Sequence, residues 1–311
     1  MSATIDLVNV SIDDLDQLPD FESFTRWTKT CTACSLRESA TEPVHYDGDP
    51  SSPIMFVGMN PGFVEDGTQI PFAGRAELAR SRCVGCTHYH QCYEWQTNSG
   101  TAHRPRVERC LGFTPLPAGA AKAVPPNAVL AGKFKIGGLR TAGQIFDDLL
   151  DALGIDRSKL FITNSALCKS VANASPRAQE YNRCSSIRIR SQRFVQPKII
   201  VTLGNDATQQ YTGKKLTMKV AHGVPIEGSD SVIQYIIVPT YHPSYIFRMM
   251  LASGTADLAQ LDQFKKDIAA AKWDMYSDMV TAFNLLGPAL TGIVKDTSKL
   301  VDGKLPVKVK T

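Results

Sequence analysis

The chain has 311 residues, 43% of them apolar and 21% charged, with a net charge of +4. That much apolar side chain can build a sizeable core without disulfides, and so small a charge does not by itself argue for a nucleic-acid partner. No apolar run reaches the roughly 18 residues of a membrane span, and residues 1–20 are acidic without the apolar stretch of a signal peptide, so the expected compartment is the reducing cytoplasm.

Residues 21–30 carry a short helical pattern, and Cys31-x2-Cys34 follows at once. Residues 53–58 (PIMFVG) form a compact apolar run between turn residues, as a buried strand does, and Met59-Asn60-Pro61-Gly62 breaks it. Between Arg75 and Arg140 the regular patterning stops; this stretch holds four cysteines and then a segment rich in Pro, Ala and Gly. An amphipathic helix is predicted over 141–153, a second strand over 160–164 (LFITN), and a helix over 176–195 with Pro in its first turn. A third strand follows at 198–203 (KIIVTL), a fourth at 233–239 (IQYIIVP), and a helix at 260–273.

Strands alternating with helices predict an α/β fold: a three-layer α/β/α sandwich around a central four-stranded parallel sheet, interrupted by a Cys-rich insertion. The expected division is a main domain of residues 1–75 and 139–275, a metal-binding insertion of 76–138, and a C-terminal extension of 276–311 ending in a Lys-rich tail. Ligands of such sheets sit beyond the carboxyl ends of the strands, which selects the segments 59–75, 164–171, 204–207 and 240–248.

Those segments hold the unusual residues. In Gly58-Met59-Asn60-Pro61-Gly62, glycines let the backbone approach a flat ligand and Asn60 offers a donor and an acceptor; an ordinary strand-to-loop turn is the plainer reading. Pro71-Phe72-Ala73-Gly74-Arg75 places an aromatic ring where it can stack on a base or fill the core. Asn164 can match the edge of a base or cap a turn. His242, in His242-Pro243-Ser244, can donate to a developing anion or be a surface histidine. Eight cysteines in a reducing compartment read better as metal ligands than as disulfides. Cys31 and Cys34, with Cys168 and Cys184 near the 176–195 helix, make a tetrathiolate set for an iron–sulfur cluster or for zinc.

In this order, CxxC, the apolar strand into G-x-x-P-G, P-F-x-G-R, I-T-N, C-x15-C and H-P-S-Y resemble the family 4 uracil-DNA glycosylases over residues 28–75 and 139–250. The resemblance implies a four-stranded parallel sheet between helices and a structural [4Fe–4S] cluster on Cys31, Cys34, Cys168 and Cys184. It also implies excision of uracil from single- or double-stranded DNA in base repair, by a monomer that needs no membrane. Phe72 would stack on the extruded base, Asn164 would read its N3–O4 edge, and His242 with backbone N–H groups near Met59 would stabilise charge on O2. Gly58 and Ser244 complete the base site. Tyr245, Ile246 and Phe247 are the expected wedge, with Arg248 on phosphate. The expected product is an abasic site without strand cleavage.

Two departures stand out. Met59-Asn60 replaces the family's usual Glu-Ala and resembles the G-M-N-P-G of single-strand-selective uracil glycosylases, so Asn60 is expected to hold the attacking water. Gly62 stands where the classical uracil enzymes carry a bulky ring, so tolerance of 5-substituted uracils is expected. The insertion is the second departure, and it leaves Arg75 and Arg140 competing for the family arginine's place. Its Cys83, Cys86, Cys92 and Cys110 suggest a second iron–sulfur cluster, or zinc with help from His88 or His90. Rival readings are a protein that captures uracil-DNA without turnover, disfavoured by the lack of histidine in residues 169–183, and a redox or interaction protein on a degenerate scaffold.

Overall fold

The computed structural model describes residues 10–73, 142–253 and 258–306. Its centre is a six-stranded sheet in the order β1-β3-β2-β4-β6-β5. The strands are β1 (Tyr46–Gly48), β2 (Ile54–Gly58), β3 (Phe161–Asn164), β4 (Ile199–Leu203), β5 (Ile226–Ser229) and β6 (Gln234–Thr240). The four expected strands are the parallel core, β3-β2-β4-β6, with Phe56 opposite Ile162 and Val201, and Val201 opposite Val238. Two short edge strands, β1 and β5, add antiparallel borders. They escaped the sequence reading because β1 has only three residues and β5 is half polar.

Every residue of β2, β3 and β4 is buried, which is why those strands read as unbroken apolar runs. The faces alternate. Ile54, Phe56, Ile162, Val201 and Val238 look to one side, where they pack on Ile145, Phe146, Leu149 and Leu150 of an α-helix over Ala142–Leu153. Met55, Val57, Phe161, Ile200 and Ile237 look to the other, with Val195 and Tyr211.

The helices are α1 (Phe21–Thr30), α2 (Leu36–Ser39), α3 (Phe63–Thr68), α4 (Ala142–Leu153), α5 (Ala178–Val195), α6 (Asn205–Thr212), α7 (Met218–Ala221), α8 (Pro243–Ser253) and α9 (Leu258–Asn284). Asp20 caps α1 by accepting the Ser23 N–H at 2.7 Å, and α1 buries Phe24 and Trp27 against Ile187 of α5. Helix α5 starts at Ala178, so Pro176 lies before it rather than in its first turn.

The helix expected over 260–273 runs on to Asn284, so the boundary drawn at 275 falls inside α9. Beyond it Phe283, Leu286, Leu290, Ile293 and Leu305 join the same core as the sheet. Residues 276–306 are therefore continuous with the main body. Their apolar side chains are spread over α9 and short 3-10 turns, a spacing with no single period to read.

The insertion, with Cys83, Cys86, Cys92, Cys110, Arg75 and Arg140, lies outside the described residues. The described residues on either side of it, Ala73 and Gly143, are adjacent. A Cβ on Gly143, at the start of α4, would strike the carbonyl of Ala73 and stand 2.7 Å from that of Phe72. Among the described residues no helix is long and apolar enough to cross a membrane.

Candidate active site

Parallel pairing brings the carboxyl ends of the strands side by side. Gly58 at the end of β2 is in register with Asn164 at the end of β3, and Leu203 of β4 with Thr240 of β6. A Cβ on Gly58 would lie 2.6 Å from Phe72 Cζ and closer still to Asn164 Oδ1. Only glycine leaves room there for the ring and the amide to meet over the strand end. The Phe72 ring centroid is 5.4 Å from that of His242. Gly58, Phe72, Asn164 and His242, dispersed in the chain, thus form one cluster.

Its polar atoms are left with unused capacity. Asn60 is buried, and its Nδ2 donates to Ser170 Oγ at 3.1 Å and to Pro61 O at 3.2 Å. Its Oδ1 is buried and receives no hydrogen bond from any described group. Asn164 is buried too, and its Nδ2 lacks an acceptor among the described groups. A buried amide without a partner costs on the order of 1–3 kcal/mol, and it is retained where a ligand or water completes it.

His242 Nδ1 accepts the backbone N–H of Ser244 at 3.0 Å. That bond requires a lone pair on Nδ1, so the neutral ring carries its proton on Nε2. Burial, and then the positive charge of Arg248, hold the imidazole down to about 4. Near neutral pH the ring is a neutral donor. Ser244 acts here through its backbone.

Glu65 ties the loops together and was not foreseen. It lies in α3, where its Oε2 accepts the Gly62 N–H at 2.5 Å and its Oε1 accepts that of Phe72. One carboxylate thus joins the two loops of the cluster, and it holds Phe72 at φ +51°, a left-handed conformation that costs about 1–3 kcal/mol for a side chain of this kind. Burial raises the Glu65 carboxyl, against the lowering by these two N–H groups and by Arg157. Arg157 itself donates to Pro71 O at 2.7 Å and pairs with Asp147 at 2.7 Å and Asp47 at 3.0 Å, so it anchors the same loop to α4 and β1. An acid seven residues before an aromatic was the only trace of this clamp in the sequence.

The expected wedge needs correction. Ile246 is fully buried in the main core, and Phe247 packs half-buried on that core. The helical turn of α8 sends them inward and leaves Tyr245 and Arg248 exposed. Of the three, Tyr245 is the most exposed. Around Gly62, the single side-chain atom within 4 Å of a built Cβ is Glu65 Oε2 at 3.1 Å, among the described residues.

On the flank, Cys31, Cys34, Cys168 and Cys184 are free thiols, the last two buried. Burial raises Cys31 and pushes Cys168 up to about 12, where the charges of Cys31 and Cys34 also bear on it. The Cys184 thiol hydrogen-bonds to Cys34, which raises Cys184 and lowers Cys34. Each thiol therefore has another of the set as an electrostatic neighbour. Among the described residues, no three His, Cys, Asp or Glu side chains converge as the ligands of one metal ion would. Cys34, Cys168 and Cys184 pack with Leu36, Ala166, Tyr181 and Met59 in one apolar cluster. Met59 also gives its carbonyl to the Ala166 N–H at 3.0 Å. The thiols and the strand-end cluster are thus one residue apart, with Met59 between them.

The strand ends of a mostly parallel α/β sheet thus gather an aromatic ring, a buried amide and a neutral histidine, groups suited to a flat polar ligand. Residues 45–268 match the uracil DNA glycosylase superfamily, and the chain belongs to that superfamily. It is 26% identical over 223 residues to the type-4 uracil-DNA glycosylase of Thermotoga maritima, which covers 71% of this chain and 79% of the relative. It is 25% identical over 221 residues to that of Sulfurisphaera tokodaii, covering 69% and 70%. With the type-4 enzyme of Saccharolobus solfataricus the identity is 32% over 124 residues, covering 38% and 56%.

Proposed function

We propose that the chain excises uracil from DNA by hydrolysing the N-glycosidic bond and leaving an abasic site. The observation that carries the reading is the convergence of Phe72, Asn164 and His242 at the carboxyl ends of the parallel strands, with Asn60 Oδ1, unanswered among the described groups, two residues beyond Gly58. The relatives' name, type-4 uracil-DNA glycosylase, supports the same reaction.

Uracil inside a duplex is out of reach, so it is extruded first, at a cost of about a few kcal/mol. Phe72 takes one face of the base. Asn164 Nδ2 donates to O4 and its Oδ1 accepts from N3–H. Cytosine reverses that donor and acceptor pattern and leaves the buried amide mispaired, which gives strong rejection. As the glycosidic bond stretches, negative charge grows on the base and positive charge on the sugar. The Nε2–H of His242 meets the charge on O2 as a neutral donor already in place. Asn60 Oδ1 accepts a hydrogen from the water that attacks C1′, while Ser170 and the Pro61 carbonyl fix the amide's orientation. Gly62 leaves space beside the base, so uracils carrying a small 5-substituent, such as 5-hydroxymethyluracil, are further substrates.

Cys31, Cys34, Cys168 and Cys184 would hold a [4Fe–4S] cluster, since each thiol has another of the set as an electrostatic neighbour and a tetrathiolate is a suitable donor set, although the side chains would have to draw together to ligate it. When bound, the cluster contributes structure, fixing α1, α5 and the Ala166–Cys168 segment beside Met59. The insertion's four cysteines would hold a second metal centre.

The test is excision by anaerobically purified protein on matched single- and double-stranded oligonucleotides with one uracil. Alkali-labile breaks at the uracil that vanish in His242→Ala are expected. No breaks from cluster-loaded protein would overturn the reading.

A further inference from the structure

Three aromatic rings outside the base cluster stand in a row beside it. His222 and Tyr241 have ring centroids 5.1 Å apart, and Tyr241 stacks on Tyr245 at 5.3 Å and 19°. The row is anchored at its inner end. His222 Nδ1 is 3.1 Å from Asp278 Oδ1, and Thr240 Oγ1 donates to Asp278 Oδ2 at 2.7 Å. Asp278, on α9, has a side chain only 4% exposed. The next residue after His222, Gly223, donates its N–H to Pro239 O at 2.8 Å, which pins the segment to β6. The outer end is open: Tyr245 is 39% exposed, and among the described residues Tyr241 is its ring partner.

We propose that the His222–Tyr241–Tyr245 row is a stacking seat for the nucleobase next to the extruded one. The position follows from the chain, because Tyr241 immediately precedes His242 and Tyr245 opens α8 three residues later. A ring already stacked on one face, and fixed in the first turn of a helix, is poorly suited to swing into a duplex as a wedge. It is well suited to continue a stack by one more ring, because every base offers a π face. Its exposed neighbour Arg248, whose charge reaches His242, lies where a phosphate of the same strand would pass. Asp278 acts as a positioning residue: it holds His222, His222 backs Tyr241, and Tyr241 backs Tyr245. The occupant is a base of either type, since stacking is tolerant of sequence, and an unpaired strand supplies it most readily.

This seat rests on the DNA reading above, and the two can fail separately. The probe is a single-stranded oligonucleotide with 2-aminopurine on the 5′ or the 3′ side of 2′-fluoro-deoxyuridine, which resists excision, and a second pair with thymidine in its place. Binding to the wild-type protein should change the fluorescence on one side only. Tyr245→Leu should abolish that change and weaken binding about tenfold, and Asp278→Asn should reduce it without touching Tyr245. Circular dichroism confirms that each variant folds. A fluorescence change that Tyr245→Leu leaves intact, or no change on either side in any oligonucleotide, overturns the seat whatever the excision assay reads. A one-sided change that needs Tyr245, in a protein that excises nothing, keeps the seat and removes the uracil reaction.

Discussion

The strand-end cluster and the thiol cluster lie on either side of Met59, yet they spend their polar groups in opposite ways. In the strand-end cluster, Asn60 Oδ1 and Asn164 Nδ2 are buried and unanswered. In the thiol cluster, Cys34 and Cys184 already answer one another and the surrounding contacts are apolar. The first arrangement costs stability until a ligand or water completes it; the second, under the proposed reading, gains stability when a metal cluster binds. Strain at Phe72 belongs with the first, and Glu65 and Arg157 offset it. A site can stay incomplete only where its neighbours are over-determined.

Four measurements sharpen this contrast. The largest effect is expected on rate. Asn164→Ala or His242→Ala should lower kcat/KM about 10²–10³-fold and move the thermal midpoint far less, because Asn164 Nδ2 has no acceptor among the described groups and His242 gives the fold one hydrogen bond, from the Ser244 N–H. Cys184→Ser should do the reverse: iron content falls, the thermal midpoint drops by on the order of 10 °C, and the protein that remains folded still cuts. Equal losses of rate and stability in both variants would dissolve the distinction. A smaller change is expected from Gly62→Phe. It should cost 5-hydroxymethyluracil about 10–200-fold relative to uracil, read as a ratio of kcat/KM values.

The smallest effect is a pH dependence. His45 is fully buried beside Ser191 Oγ at 3.1 Å, and burial, then Lys29, holds it down to about 3 from an ordinary 6.5. The folded protein therefore refuses a proton that the unfolded chain accepts. This contribution to stability is complete above pH 6.5 and is lost as pH falls towards 3. His45→Gln should flatten that part of the slope in urea melts at pH 7 and 5. His242, neutral to about 4, should keep excision rates level over the same interval, so stability and rate separate on acidification.

Much of this architecture was legible in the chain. The four parallel strands are legible because they are mostly buried runs, and the rule that ligands sit beyond the carboxyl ends of strands selects the segments that hold Phe72, Asn164 and His242. What escaped has physical reasons. Glu65 and Arg157 act on backbone groups, which leave no pattern in side-chain identity. Asp278 and His222 meet across 56 positions, and no local period connects them. Ile246 departs from the expected wedge because the helix that starts at Pro243 turns it inward.

The contact between Gly143 and the Ala73 carbonyl makes the fold a closed circuit with a port. The chain departs after residue 73 and re-enters at 142 at almost the same point, so the main body bears no stretch from whatever is spliced between. The entropy cost of closing a loop there grows only slowly with its length, by about 0.6 kcal/mol per doubling. A two- or three-residue bridge could replace the whole excursion, and a foreign domain could occupy it, with the glycosylase body unaware of the exchange. Because residue 73 follows Phe72 directly, the port lies beside the strand-end cluster.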